Sequence, residues 1–331
     1  MALIVLIIIA ALAFDFINGF HDTANAIATV VSTRVLKPRT AIFMAAVLNT
    51  LGALVSKNVA KTIAGGILTS HAATQTVILC AVIGAIVWNL VTWRYGIPSS
   101  SSHALIGGLC GAGFVAGGTS VIQWKGVWEK VIVPLIGSPI IGFILAFFIM
   151  TLIFALFAKA NPGKVGATFR HLQVLSAAAV AFSHGSNDAQ KSMGIITLAL
   201  VAGGILKGTP AQADIPLWVV LLCALAMGLG TSVGGWRIIA TMGHRIMRLE
   251  PVNGFAAEVS ASAVIMGASY FGFPVSTTHV ISGCIFGVGA AKRLNAVRWG
   301  VAQRMVVAWV LTIPAAGLVA GLVYGCTQFV H

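Results

Sequence analysis

Of the seven acidic residues in this chain, Asp15, Asp22, Asp188 and Glu258 fall inside apolar stretches. A charged side chain at the centre of a membrane helix costs about 2.5–3.5 kcal/mol on insertion scales, so such residues persist where they face a polar cavity and bind something. Asp22 lies in Gly19-Phe20-His21-Asp22-Thr23-Ala24-Asn25, and Asp188 in Gly185-Ser186-Asn187-Asp188-Ala189-Gln190-Lys191, an alignment at an offset of 166. Carboxylates, amides and backbone carbonyls freed by unwinding at Gly19 and Gly185 form a hard-oxygen set suited to cations or protons. Asp15, near a helix end, reads equally as interfacial or functional. No His/Cys cluster of the zinc-holding kind occurs, so no resident metal and no cofactor are expected. The five cysteines read as small core hydrophobes.

A second pair of motifs suggests anion chemistry. Pro98-Ser99-Ser100-Ser101-Ser102-His103 aligns with Pro274-Val275-Ser276-Thr277-Thr278-His279 at an offset of 176, and Gly107 and Gly111 fall on Gly283 and Gly287. A proline, then hydroxyl residues, then an apolar run reads as a helix N-terminus, whose free amides and dipole attract anions. Two such starts from opposite faces could clamp a tetrahedral oxyanion. One Ser-rich patch alone would read as packing between membrane helices. Its recurrence in both halves favours binding. His103 and His279 suit a bond to a backbone carbonyl, or carriage of a proton.

The elements holding these motifs follow from composition. Of 331 residues, 58% are hydrophobic and only 8% charged, against roughly 25% charged in soluble domains, so a water-soluble fold is excluded. Ten apolar segments, about 1–33, 40–56, 74–93, 98–118, 131–158, 171–206, 215–236, 252–271, 274–291 and 300–327, predict an all-α polytopic membrane protein with 10–12 membrane segments. The first and sixth are too long for one straight span and are expected to break at Asn18–Asp22 and His184–Asp188. The two motif pairs, recurring in the same order, divide the chain into a first repeat (1–158), a cytoplasmic linker (159–170) and a second repeat (171–331).

The net charge of +13 is spread singly and in threes between apolar runs, as a topology signal is, so nucleic acid is not an expected partner. If each segment crosses once, one side collects thirteen basic residues, among them Arg34, Arg94, Arg170, Arg237, Arg248 and Arg298; the other collects Lys57, Lys61, Lys125, Lys130 and Lys207. The richer side is cytoplasmic, which places both termini outside an inner (plasma) membrane. A re-entrant hairpin at 98–118 or 274–291 would alter that parity. The basic loop after the first motif and the neutral one after the second make the repeats inverted. Inverted repeats with interrupted helices indicate a secondary transporter with a midplane site.

Two other classes are weaker. An intramembrane hydrolase needs one asymmetric nucleophilic constellation, whereas Ser, His and Asp recur here in symmetric pairs without a G-x-S-x-G elbow. An anion channel gives no reason for carboxylates facing an anion, but coupled transport does, because a bound cation or proton neutralises them.

The segments Asn18–Ala26, Ser183–Lys191 and Pro274–His279 resemble the signatures of the PiT family of inorganic phosphate transporters, and the resemblance spans essentially the full length. It implies a cation-coupled symporter built from inverted repeats with discontinuous helices and helical hairpins. By that resemblance Asp22, Asn25, Asn187 and Asp188, with Ser100, Ser101, Ser102, Ser276, Thr277 and Thr278, build the phosphate site. Lys191 is a further candidate ligand, or acts through its pairing with Asp188.

Sodium-coupled members carry Asn three positions after the Asp in both copies, and a Glu in the second helix as well as late in the chain. This sequence keeps Asn25 and Glu258 but has Lys191 and Asn49 at the other two positions. Those departures resemble the bacterial low-affinity, proton-driven branch, which carries phosphate and neutral metal–phosphate complexes. The expected coupling ion is therefore the proton, with Glu258 the first carrier and Asp22 the second; Asn18, Asn49 and Asp188 complete the coupling set, and sodium is the alternative. Sulfate has no proton to donate to a carboxylate, which favours phosphate, with a permease for sulfate or another tetrahedral oxyanion as the alternative. A homo-oligomer, and a soluble cytoplasmic regulator docking on Arg237–Glu250, are further expected partners.

Overall fold

A computed structural model describes residues 1–329, in which no strand occurs beyond an isolated bridge between Leu68 and Ile122. The first half contains α1 (Ala2–Ser32), α2 (Pro38–Ala53), α3 (Asn58–Gly65), α4 (Gln75–Tyr95), α5 (Ser101–Gly117), α6 (Trp124–Val127) and α7 (Val133–Phe157). The second contains α8 (Pro162–Ala202), α9 (Leu217–Val233), α10 (Trp236–Ala240), α11 (Pro251–Tyr270), α12 (Thr277–Lys292) and α13 (Trp299–Thr327). Five helices are long and apolar enough to cross a membrane, or up to seven when the bent pairs α2–α3 and α9–α10 each count as one.

Local chemistry sets the helix starts. Thr74 and Asn161 cap α4 and α8 through their side chains, and Pro162 follows Asn161 at the first helical position. Glu250 and Asn253 form a reciprocal capping box on α11. Ser100 and Ser276 cap α5 and α12 by accepting from the His103 and His279 amides. The linker expected at 159–170 is helical from Pro162 onward and forms the first turns of α8.

The breaks fall elsewhere than the motifs suggested. Helices α1 and α8 run unbroken through Asn18–Asp22 and His184–Asp188. The discontinuities lie between α2 and α3, bent by 69°, and between α9 and α10, bent by 61°. The motif glycines serve close approach. A Cβ at Gly19 would strike the backbone of α9 at Met227 and Thr231, and one at Gly185 would strike Asn49 on α2. At the second bend Gly234 takes φ +77°, which a side chain would strain.

The arrangement is pseudo-symmetric. Helix α4 folds back on α5, with Ser99 bonded to Thr92 and Gly108 against Ala81. Each hairpin's second arm packs on the closing helix of the other half. Gly107 and Gly111 of α5 meet Ile313 and Gly317 of α13, while Gly283 and Gly287 of α12 meet Pro139 and Phe143 of α7. One apolar core takes the N-terminal part of α1 and the C-terminal part of α8; a second takes the reverse. The long helices therefore cross antiparallel, as inverted repeats require. Between the two cores lies a polar layer at Asp15–Thr23 and Ser183–Asp188, all but Phe16 and Ile17 buried.

Inter-loop contacts sort the ends into two faces. Arg170 bonds the Arg34 carbonyl, Arg237 bonds the Arg94 carbonyl, and the Arg298 amide bonds Ile246 on the basic face. Lys57 bonds Ile215, and Asn58 bonds Tyr270, on the sparse face.

Gly185→Val should overpack the α2–α8 crossing by about 1–3 kcal/mol, lowering the thermal midpoint in detergent. Gly137→Ala, where a Cβ meets nothing within 4 Å, is the control and should leave it unchanged. Equal midpoints for both variants would contradict the close-approach assignment.

Candidate transport site

The polar layer brings the two Asp motifs together. On α1, Asn18 and Asp22 are one helical turn apart; on α8, His184 and Asp188 are their repeat equivalents. Asn18 donates across to Asp188 Oδ2 at 3.5 Å. Asp22 Oδ1 lies 2.6 Å from His21 Nδ1, and His184 Nε2 lies 3.6 Å from Asp188 Oδ2. Donor atoms of Asp22, His184 and Asp188 all fall within 4.8 Å of one another, a spacing that would suit a cation although the sequence suggested no metal cluster.

Lys191 faces Asp188, its Nζ 2.7 Å from Oδ1, with both side chains buried. In water-excluded surroundings an ion pair is costly to assemble and far costlier to break on one side. The ammonium occupies one face of the Asp188 carboxylate, at the position where the other repeat carries the neutral Asn25.

The hairpin tips close the site. Asn25 Nδ2 donates to Thr277 Oγ1 at 3.2 Å and to Thr278 Oγ1 at 2.8 Å, while Thr277 donates to Asp188 at 3.5 Å. Ser101 donates to Asp22 Oδ2 at 3.4 Å, and Ser102 crosses to the Val275 carbonyl at 3.1 Å. His103 and His279 touch with ring centroids 4.7 Å apart, and His279 stacks on Trp309 at 3.9 Å. The starts of α5 and α12 thus meet head to head. Their first amides, at Ser101, Ser102, Thr277 and Thr278, have no intrahelical acceptor and are available to an oxyanion.

Several candidates take different places from those expected. Ser100 and Ser276 spend their hydroxyls on capping. Asn187 points to the α11–α12 turn, donating to Ser269 Oγ at 2.9 Å and to the Phe273 carbonyl at 3.2 Å. Asn49 lies behind the carboxylates, donating to Thr231 at 2.8 Å and bonding His184 at 3.0 Å. Glu258 has a separate cage: Thr29 donates at 2.5 Å, Gln173 at 3.0 Å, and Ser176 through a short bond. Asp15 is fully buried with neither oxygen hydrogen-bonded. His21, His184, Gln173, Ser176 and Thr231 were not singled out as site residues by sequence reasoning. Gln173 and Ser176, polar at i and i+3 in an apolar segment, were the available signal.

Antiparallel long helices, two facing half-helix starts and a buried charged centre define a membrane transporter of the inverted-repeat class. The chain belongs to the phosphate transporter family, whose pattern it matches over residues 18–320. It is 51% identical over 324 residues to the probable low-affinity inorganic phosphate transporter of Bacillus subtilis (strain 168), covering 97% of this chain and 96% of that one. The protein of the same description from Rhizobium meliloti (strain 1021) is 49% identical over 329 residues, covering 99% and 97%. A solved structure, the sodium-dependent phosphate transporter, superposes with a TM-score of 0.91 at 26% identity and full coverage of both chains. The duplicated Ser, His and Asp residues therefore belong to a transporter and not to an enzyme.

Asp188→Asn should leave the Lys191 ammonium buried and unpaired, costing about 3–5 kcal/mol, and Asp188→Asn/Lys191→Met should recover much of that loss. Thermal unfolding of the purified variants checks this. A double variant less stable than the single one would contradict the pairing.

Proposed function

We propose that this protein is a symporter importing inorganic phosphate coupled to protons, with its arginine-rich face in the cytoplasm and both chain ends outside the plasma membrane. The carrying observation is the Lys191–Asp188 pair: an ammonium 2.7 Å from the carboxylate occupies the charge and space that a coupled sodium ion would take. Asn49, bonded to Thr231 and His184, contributes a neutral amide where a carboxylate would help hold sodium. Protonation then neutralises the remaining carboxylates. Glu258 is the first carrier, because three uncharged donors surround it and, among the described residues, no cation pairs with it. Asp22, beside His21, is the second.

Phosphate binds between the amide-bearing starts of α5 and α12, and Lys191 supplies a positive charge. A protonated phosphate donates to Asp22 or Asp188, an interaction that sulfate cannot make. The Asp22–His184–Asp188 grouping also supports a neutral divalent metal–phosphate complex as cargo, the cation resting on the carboxylates and imidazole.

Labelled phosphate uptake into proteoliposomes under an acid-outside gradient, without sodium, tests the coupling. Uptake should be gradient-driven and should resist sulfate. Glu258→Gln should abolish accumulation above equilibrium while sparing phosphate–phosphate exchange. Uptake that needs sodium and ignores the pH gradient would contradict the proton reading.

A further inference from the structure

At the end of α1, outside the polar layer, lies a cavity of about 610 Å³ lined by Thr33, Arg34, Arg248, Glu250 and Arg298, among others. Its charge is unbalanced. Glu250 is already engaged, pairing with Lys292 at 3.2 Å and capping α11. None of the three arginines has a carboxylate within 4.0 Å among the described residues, where the ion pairs are those of His21, His184, Lys191 and Lys292. Arg34 holds φ +57°, the only non-glycine residue described with a positive φ, and its carbonyl is gripped by Arg170. A large cationic side chain thus stands in a backbone conformation that glycine would fill with less strain.

A hydrogen-bond chain runs from the cavity wall to the interior. Thr33 on its wall donates to Gln173 Oε1 at 2.9 Å, and Gln173 donates to Glu258 at 3.0 Å. Thr33 is therefore two hydrogen bonds from the Glu258 carboxylate.

We propose that this cavity is a second binding site for a phosphate-class oxyanion, held by the guanidinium forks of Arg34, Arg248 and Arg298. Guanidinium forks match phosphoryl oxygens bidentately, and the exposed Arg34, Arg248 and Arg298 all line this one cavity. The site rests on the reading above that phosphate passes through this protein, and it deepens it. Phosphate leaving the central site is retained at the basic face, beside the carboxylate that releases the proton. Free orthophosphate and the headgroup of an anionic lipid share this chemistry.

Equilibrium binding of labelled orthophosphate to the purified full-length protein separates the cases, measured in lipid-free detergent and in nanodiscs containing phosphatidylglycerol. Wild type should show two classes of site in detergent. Asp188→Asn should remove one and leave the other. Arg248→Gln/Arg298→Gln should weaken the second class at least tenfold, and Arg34→Gly, which suits the turn, should weaken it several-fold. Persistence of the arginine-dependent class in nanodiscs identifies free phosphate as the occupant. Its disappearance in wild-type nanodiscs, with arginine-dependent retention of phosphatidylglycerol, identifies the headgroup. Binding curves for the arginine variants that match wild type in both media, with equal lipid retention, would overturn the site. A single class in wild type, unaffected by Asp188→Asn and weakened only by the arginine substitutions, would instead count against the central phosphate site.

Discussion

A carboxylate in the middle of a bilayer has no water to turn to, so each of its partners must come from the protein. That constraint explains the organisation of the chain. Asp22 and Asp188 stand on two long helices that cross antiparallel; Ser101 and His21 of its own half hold Asp22, while Asp188 draws Asn18 from the first half and Thr277, His184 and Lys191 from the second. The glycines beside them exist because the crossing is tight. Gly19 meets α9 and Gly185 meets α2, each at backbone distance.

The same constraint orders the rest along the membrane normal. Two apolar cores, one on each side of the polar layer, fix its depth. The hairpin arms α5 and α12 each pack against the last helix of the opposite half, so neither half can close its own site. On the proposed reading, phosphate at the centre would sense the position of both halves at once, as alternating access requires. Contacts such as Asn25 to Thr277 and Thr278 would have to exchange as a ligand enters. Glu258 sits apart, toward the basic face, in a cage of neutral donors.

Much of this was legible in the sequence, because the expensive residues are the informative ones. Duplicated Asp and Pro-Ser/Thr motifs disclosed the repeats. The location of the breaks was not legible. Gly19 and Gly185 were read as points of unwinding, yet glycine in a helix serves equally for close packing, and only the neighbouring backbone decides between them. Asn187 likewise carries a motif position but faces a turn, since helical phase relative to another helix is a tertiary property. His184 was read only as the edge of a break and not as a site residue, because its repeat equivalent is Asn18 and the alignment hid a second imidazole at the centre.

The central claim is that the starts of α5 and α12 and the Asp22–Asp188 centre form one oxyanion site. The most direct measurement is a structure determined with arsenate, a tetrahedral phosphate mimic whose arsenic scatters anomalously. The account predicts an anomalous peak between Ser101–Ser102 and Thr277–Thr278, on the side of Asp188 that carries Lys191. A peak remote from both hairpin tips, with the tips still bonded to Asn25, would contradict it.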